Sequence, residues 1–175
     1  MFTKLRITNS GKTRGKRKRG SSAQGGGNVL EFVRLEQEGL ALLKQWFQDP
    51  EALRRLSGML PLERWLPFVL QNPDYYAWIV YESGQPVGQI DAETEADGTA
   101  YVSLLVNPGL RGRGYGSRML AALLQRPELT AVRRWEAGIE PDNIASIRCF
   151  RKAGFVEQEV DEDGFMRLVF IPFPA

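Results

Sequence analysis

The chain has 175 residues, enough for one domain, and its 43% of apolar residues, nine Phe among them, can form a core. It has no His and a single Cys, Cys149, which excludes Ser–His–Asp and Cys–His nucleophiles, the usual zinc sites and an intrachain disulfide. No apolar run is long enough to cross a membrane, and a cytoplasmic location is the simplest interpretation.

The charge is uneven along the chain. Residues 1–28 carry eight Lys and Arg and no acidic residue, which leaves 15 basic and 21 acidic residues for the rest. This basic, Ser- and Gly-rich composition predicts a disordered tail, with the domain at residues 29–175. The tail could bind nucleic acid or an acidic surface, act as an organelle transit segment, or be upstream sequence translated from a misassigned start, with Val29 near the true beginning. We otherwise expect no nucleic-acid partner, and the sequence leaves a homodimer open.

Hydrophobic periodicity predicts the elements of the domain in chain order. A strand at residues 30–35 is followed by helices at 38–48, 51–56 and 62–70. Strands at 76–82 and 86–93 form a hairpin, and a third strand runs from 99 to 106. A helix at 117–124, a strand at 132–139, a helix after Asn143 and a final hairpin of strands at 155–160 and 165–171 complete the order.

A Gly-rich loop, Arg111-Gly112-Arg113-Gly114-Tyr115-Gly116, joins the strand at 99–106 to a helix that begins near Ser117. Such a loop suits phosphate, because glycines let the backbone approach closely, the first N–H groups of a helix are unpaired, and Arg adds charge. The loop is not a Walker loop, because Lys-Ser or Lys-Thr does not follow its last Gly. It also does not match the dinucleotide-binding pattern G-x-G-x-x-G, because Ser117 occupies the position of the third Gly. Taken alone, the loop could also be an Arg-Gly surface loop or a short RNA-binding tract.

A second motif, NIASIRCFRKAGF, occupies residues 143–155. Asn143 is a predicted helix N-cap, and Gly154 lies where a glycine ends a helix. Together with Arg-x-x-Gly-x-Gly in the loop, this segment resembles the GNAT family of acetyl-CoA-dependent N-acetyltransferases. The residues of the second motif are most similar to those of aminoglycoside 6′-N-acetyltransferases and related small-amine enzymes. The resemblance covers roughly residues 76–170 and implies the mixed α/β GNAT fold with a splayed central sheet.

The resemblance also implies acetyl-CoA as the acetyl donor, no metal, and a set of cofactor contacts by position. In the family, backbone groups at residues 104–106 would pair with the pantetheine arm, and one N–H there would face the thioester oxygen. The implied cofactor contacts are Leu104, Leu105, Val106, Arg111, Gly112, Arg113, Gly114, Tyr115, Gly116, Ser117, Asn143 and Phe150. Phe150 is a departure, because many relatives have a Tyr there that protonates the leaving thiolate.

The acceptor side is indicated by acidic residues. Asp91, Glu93 and Glu95 alternate along one face of a predicted strand. They are either the solvated face of a hairpin or an anionic rim that attracts a cationic amine and accepts its proton through water. Cys149, on a helix, is interpreted as a small core residue rather than a nucleophile. The candidate catalytic residues are Asp91, Glu93, Ser103 and Tyr101, with Glu136 and Glu140 as further candidates.

We therefore expect a GNAT-fold enzyme that transfers an acetyl group from acetyl-CoA to a primary amine. The leading acceptor class is a small cationic molecule, such as an aminoglycoside. A protein N-terminal or lysine acetyltransferase is one alternative. A non-catalytic acyl-CoA-binding module is another, because Phe150 cannot donate a proton.

Overall fold

A computed structural model describes residues 29–172 of the chain, so the predicted basic tail lies outside the described residues. The described part forms one seven-stranded sheet with the order β1-β2-β3-β4-β5-β7-β6. The strands are β1 (Leu30–Arg34), β2 (Tyr75–Glu82), β3 (Gln85–Thr94), β4 (Thr99–Val106), β5 (Arg134–Ile139), β6 (Val156–Val160) and β7 (Met166–Phe170). The α-helices are α1 (Leu40–Trp46), α2 (Pro50–Arg55), α3 (Leu62–Gln71), α4 (Tyr115–Leu123) and α5 (Ile144–Lys152). No described helix has the length and apolarity that a membrane crossing needs.

The predicted order of elements is confirmed, with small shifts at their ends. The helix predicted at residues 38–48 starts as a 3-10 turn at Gln37–Gly39 and becomes α-helical only at Leu40. The helix after the Gly-rich loop begins at Tyr115, two residues earlier than predicted. Its N-cap is Gly114, whose φ of 79° lets the chain turn sharply from loop to helix.

Helices cover both faces of the sheet, because each helix has one apolar side. In α3, for example, Leu62, Trp65, Leu66 and Val69 are buried at helical spacing. Helices α1, α2 and α3 share a core with the face of the sheet that carries Tyr75 and Leu105. Helices α4 and α5 share the opposite core, which contains Ile90 and Leu104.

The centre of the sheet opens between β4 and β5. These two strands are parallel, and they pair only where Thr99–Tyr101 meets residues 134–136. On its other side β4 stays paired with β3 as far as Val106, which lies opposite Gly88. Among the described residues, the last part of β4 therefore has no strand on the β5 side, and the predicted splayed sheet is confirmed.

Candidate active site

The Gly-rich loop borders a cleft of about 450 Å³ between the end of β4, the start of α4 and one side of α5. Gly112 and Gly114 have φ angles of 77° and 79°, a conformation that other residues rarely adopt. The first N–H groups of α4 have no acceptor four residues before them in the helix, and the helix dipole is positive at this end. The cleft is lined by Val106, Arg111, Gly112, Gly114, Tyr115, Gly116, Ser117, Ala145, Arg148, Cys149 and Lys152.

This lining fits an anionic cofactor. The backbone donors of the α4 N-terminus are joined by two cationic side chains, Arg148 and Lys152, which lie one turn apart on α5. Neither side chain was predicted as a cofactor contact from the sequence, although their spacing of four within a predicted helix was a usable signal. Arg113 was predicted to contact the cofactor, but it is exposed and does not line this cleft.

Arg111, a predicted phosphate ligand, is engaged by another part of the protein. Its two terminal nitrogens donate to Asp49, at 3.0 Å to Oδ2 and 2.6 Å to Oδ1. Asp49 also caps α2 by accepting from the backbone N–H of Ala52 at 2.9 Å. The Arg111 guanidinium is the main cause that lowers the pKa of Asp49, helped by this capping bond and opposed by partial burial.

Tyr115 anchors the start of α4 to the end of β2. Its hydroxyl donates to Glu82 Oε2 at 2.7 Å, and Arg118 pairs with the same carboxylate. The Arg118 guanidinium also lies over the Tyr115 ring, 5.3 Å from its centroid. Arg118 first, and Tyr115 second, lower the pKa of Glu82. These contacts hold the helix end that borders the cleft.

The second motif folds as predicted at Asn143 but not at Phe150. Asn143 is an N-cap, because its Oδ1 accepts from the backbone N–H of Ser146 at 3.2 Å. Phe150 has no exposed surface and packs edge-on against Phe155, with ring centroids 5.0 Å apart. In this structure it belongs to the core and offers no surface to a ligand, which corrects its assignment as a cofactor contact. Cys149 lines the cleft, but burial raises the pKa of its thiol to about 12, which disfavours a nucleophilic thiolate.

Asp91 is buried in the sheet, under α1–α3, rather than on a solvated face. Its Oδ1 accepts from the hydroxyls of Ser103 at 2.8 Å and Tyr75 at 3.1 Å, and its Oδ2 accepts from Gln89 Nε2 at 2.6 Å. Burial raises the pKa of Asp91 to about 6, although all three donors oppose the rise. Glu93 is only 4% exposed. Asp91 and Glu93 therefore do not lie on a solvated face, whereas Glu95, the third residue of the predicted set, is partly exposed.

A second, acidic cleft of about 340 Å³ lies where β4 and β5 separate. Tyr101 and Glu136, the last pair between these strands, form one side of it, and the β6–β7 turn forms the other. Glu136 also accepts from Arg134 Nε at 2.5 Å. From the sequence, this turn was expected only to connect a hairpin, although its three consecutive acids were visible. The cleft is lined by Tyr101, Glu136, Ala137, Gly138, Asp161, Glu162, Asp163, Phe165 and Arg167.

Comparison with known proteins agrees with this geometry. Residues 40–155 match the Acetyltransferase (GNAT) family. An uncharacterized N-acetyltransferase of Bacillus subtilis, YfmK, is 37% identical over 144 residues, which are 81% of this chain and 97% of that protein. An aminoglycoside N(6′)-acetyltransferase type 1 of Klebsiella pneumoniae is 28% identical over 131 residues, 65% of this chain and 63% of that enzyme.

Solved structures share the fold at lower identity. One is AAC(6′)-Ib in complex with paromomycin and acetyl-CoA, with a TM-score of 0.70 and 23% identity over 81% of this chain and 93% of that one. Another is a spermidine N-acetyltransferase SpeG chimera from Vibrio cholerae, with a TM-score of 0.68 and 16% identity over 81% of this chain and 94% of that one. The chain thus belongs to the GNAT family and is an acetyl-CoA-dependent N-acetyltransferase.

Proposed function

We propose that this N-acetyltransferase acetylates a primary amine of a small cationic molecule of the aminoglycoside or polyamine kind. The observation that carries the proposal is the acidic cleft, which is lined by four carboxylates, Glu136, Asp161, Glu162 and Asp163, and by one cationic side chain, Arg167. A concave surface with an excess of one sign of charge concentrates ligands of the opposite sign. Relatives named for aminoglycosides and for spermidine support the same acceptor class.

The cofactor supplies an acetyl group activated as a thioester, and this chain's residues have defined tasks around it. The N–H groups that open α4, near Gly116, would hold the pyrophosphate. Arg148 and Lys152 would neutralise phosphate charge along the cleft. The backbone of residues 104–106, which has no strand partner on the β5 side in the described part of the chain, would pair with the amides of the pantetheine arm.

The acceptor amine must lose a proton as its bond to the acetyl carbon forms and the carbon–sulfur bond breaks. We assign the acceptance of that proton to Asp91, whose pKa of about 6 suits a base that works near neutral pH. The proton would pass through the Ser103 hydroxyl, which already donates to Asp91 Oδ1. Because Ser103 is only 2% exposed and does not line the acidic cleft, a water would carry the proton from the amine to Ser103, which would pass its own to the carboxylate.

The departing thiolate needs no acid from the second motif. Phe150 has no hydroxyl and lies in the core. A thiol has a pKa of about 8.5, so its thiolate is an acceptable leaving group near neutral pH. Solvent can then protonate the sulfur, and the reaction remains balanced without a donor at this position.

An acetyl-transfer assay over a panel of amines tests the proposal. We expect kcat/KM to be highest for kanamycin or spermidine. Both the singly charged ethanolamine and a peptide with a free N-terminus and a Lys should give a lower kcat/KM than these polycations. The preference should weaken as ionic strength rises. Highest activity on the peptide would favour the protein acetyltransferase, and acetyl-CoA binding without transfer to any amine would favour the non-catalytic module.

A variant pair links the preference to the acidic cleft. The double substitution Glu162→Gln with Asp163→Asn removes two charges from the β6–β7 turn and should raise KM for the polycation while kcat changes little. Asp161 is left intact because its Oδ1 accepts from the backbone N–H of Phe165 at 2.8 Å and supports the turn. The matched control, Glu36→Gln with Glu38→Gln, removes two exposed charges that do not line this cleft and should leave KM unchanged.

A further inference from the structure

Helix α2 connects the two arms of the splayed sheet. At its N-terminal end, Asp49 binds Arg111, which follows β4. At its C-terminal end, Arg55 Nη1 lies 2.5 Å from Glu140 Oε2 and 2.5 Å from Asp142 Oδ1, both of which follow β5. A six-residue helix is about 9 Å long, so α2 spans the gap beyond the last β4–β5 pair.

The two attachments of α2 differ in strength. The side chain of Arg55 is only 7% exposed and pairs with three carboxylates, Glu51, Glu140 and Asp142. The pair between Asp49 and Arg111 is more open, since the two side chains are 22% and 31% exposed. The Asp49–Arg111 pair is bidentate, but it involves a single carboxylate and solvent reaches both of its partners. The Arg55 end, with three carboxylates, is therefore the firmer one, and the Asp49 end is the one that a competing anion can displace.

Arg111 belongs both to this attachment and to the cleft that fits the cofactor. Its planar group of donors binds a carboxylate or a phosphate with similar geometry. A carboxylate already on Arg111 removes one positive charge from the cleft and competes with an incoming phosphate. Helix α2 packs on the sheet face that also carries Tyr75, the hydroxyl partner of Asp91.

We propose that Asp49 is an internal counter-ion for Arg111 and that the phosphate groups of the cofactor take its place. Cofactor binding then frees the N-terminal end of α2 while Arg55 keeps the other end in position. The acceptor would find α2 released only when the acetyl donor is bound, which couples the two sites. This inference rests on the proposed cofactor site.

The substitution Asp49→Asn separates the ion pair from the helix cap. Asn and Asp are about equally good N-caps, so the bond from the backbone N–H of Ala52 is kept while the charge is lost. Titration calorimetry with acetyl-CoA at low salt should show a Kd lower by roughly twofold to fivefold, the factor that corresponds to an exposed ion pair. Glu63→Gln, which breaks the exposed pair of Glu63 with Lys44, is the matched control and should leave Kd unchanged.

Hydrogen exchange provides a readout that does not depend on turnover. Adding acetyl-CoA to the wild type should speed exchange of the α2 amides, whereas in Asp49→Asn they should already exchange fast and change little. Protection of α2 by the cofactor, or an unchanged or higher Kd in Asp49→Asn, would overturn the inference alone. A wild type that does not bind acetyl-CoA would overturn the proposed cofactor site and this inference with it.

Discussion

Replacing the buried carboxylate Asp91 with Asn should make the protein more stable at pH 8 and less active. Burial raises the pKa of Asp91 from 3.8 to about 6, which corresponds to about 3 kcal/mol at about 1.4 kcal/mol for each pH unit. Because the pKa is higher in the folded state, the wild-type fold is most stable in acid, and its free energy of unfolding falls by this amount as pH rises from about 4 to beyond 6. A carboxamide does not ionise in this range, so the stability of the variant should not fall for this reason.

The hydrogen bonds around Asp91 allow this substitution. The carboxamide oxygen of the variant can still accept from Ser103 and Tyr75. Its NH₂ group would face Gln89 Nε2, but Gln89 Oε1 is a buried acceptor that has no hydrogen-bond partner among the described residues. Rotation of the Gln89 amide by a half-turn brings Oε1 to the new donor and moves Nε2 to the place where Oε1 had no partner, so the number of hydrogen bonds is kept and one buried polar atom stays unpaired, as in the wild type.

Urea denaturation of wild type and Asp91→Asn between pH 4.5 and 8 measures the effect. The stability of the variant relative to the wild type should rise with pH by up to about 3 kcal/mol. Removal of a general base costs about 10²- to 10⁴-fold in rate, so kcat/KM of the variant should fall at pH 8, and the acidic limb near pH 6 should disappear.

Asp97→Asn is a control of opposite sign. The backbone N–H of Thr99 lowers the pKa of Asp97, so this carboxylate stabilises the fold above its ordinary pKa of 3.8 and ceases to do so in stronger acid. The Asp97 variant should therefore lose stability relative to the wild type by the same amount throughout pH 4.5 to 8, and the difference should shrink only below pH 3.8. A stability difference for Asp91→Asn that does not change between pH 4.5 and 8 would refute the argument from burial.

Three further predictions concern packing, the cofactor cleft and α2. Gly88→Ala should lower the free energy of unfolding by about 1–3 kcal/mol, because the new Cβ would lie 2.6 Å from the carbonyl oxygen of Leu105, whereas Gly109→Ala, with its nearest contact at 3.6 Å, should be nearly neutral in urea denaturation. Lys152→Glu should raise the Kd for acetyl-CoA severalfold in calorimetry, and the neighbouring Arg151→Glu, outside the cleft lining, should raise it less; equal effects would remove Lys152 from the site. Arg55→Gln should cost about 1–3 kcal/mol in thermal or urea unfolding, because charged hydrogen bonds to the segment after β5 are lost, and an unchanged stability would argue against α2 as a bridge.

The Gly-rich loop and the elements on either side of it could be predicted because their signals are local. Gly112 and Gly114 follow a strand and precede a helix, and this short segment alone fixes their positive φ angles. Asn143 was predictable as an N-cap for the same reason. The splayed sheet came instead from the resemblance of two motifs to a known family.

The environment of Asp91 could not be predicted from local pattern. Alternating polar residues in a strand usually indicate a solvated face. Here α1–α3, which precede β3 in the chain, cover that face and bury Asp91 and Glu93. The ion pair of Asp49 with Arg111 joins residues 62 positions apart. Hydrophobic periodicity predicts helices and strands, but it does not predict an individual contact between two distant residues. Phe150 was predicted to contact the cofactor from its position in the second motif alone. The sequence does not show that its ring packs against Phe155 instead.

In the described part of the chain, β4 and β5 are joined by three residue pairs, so the sheet consists of two blocks, each of which carries most of a different cleft. The block from β1 to β4, with the loop that follows it, carries the Gly-rich segment. The block from β5 to β7 carries most of the acidic cleft, through a β6–β7 turn that is exposed and short. If the acidic cleft takes the acceptor, as we propose, changes of length or charge in that turn would alter the choice of acceptor while the Gly-rich loop stays as it is. A scaffold of this kind would then diversify its acceptor range through one hairpin.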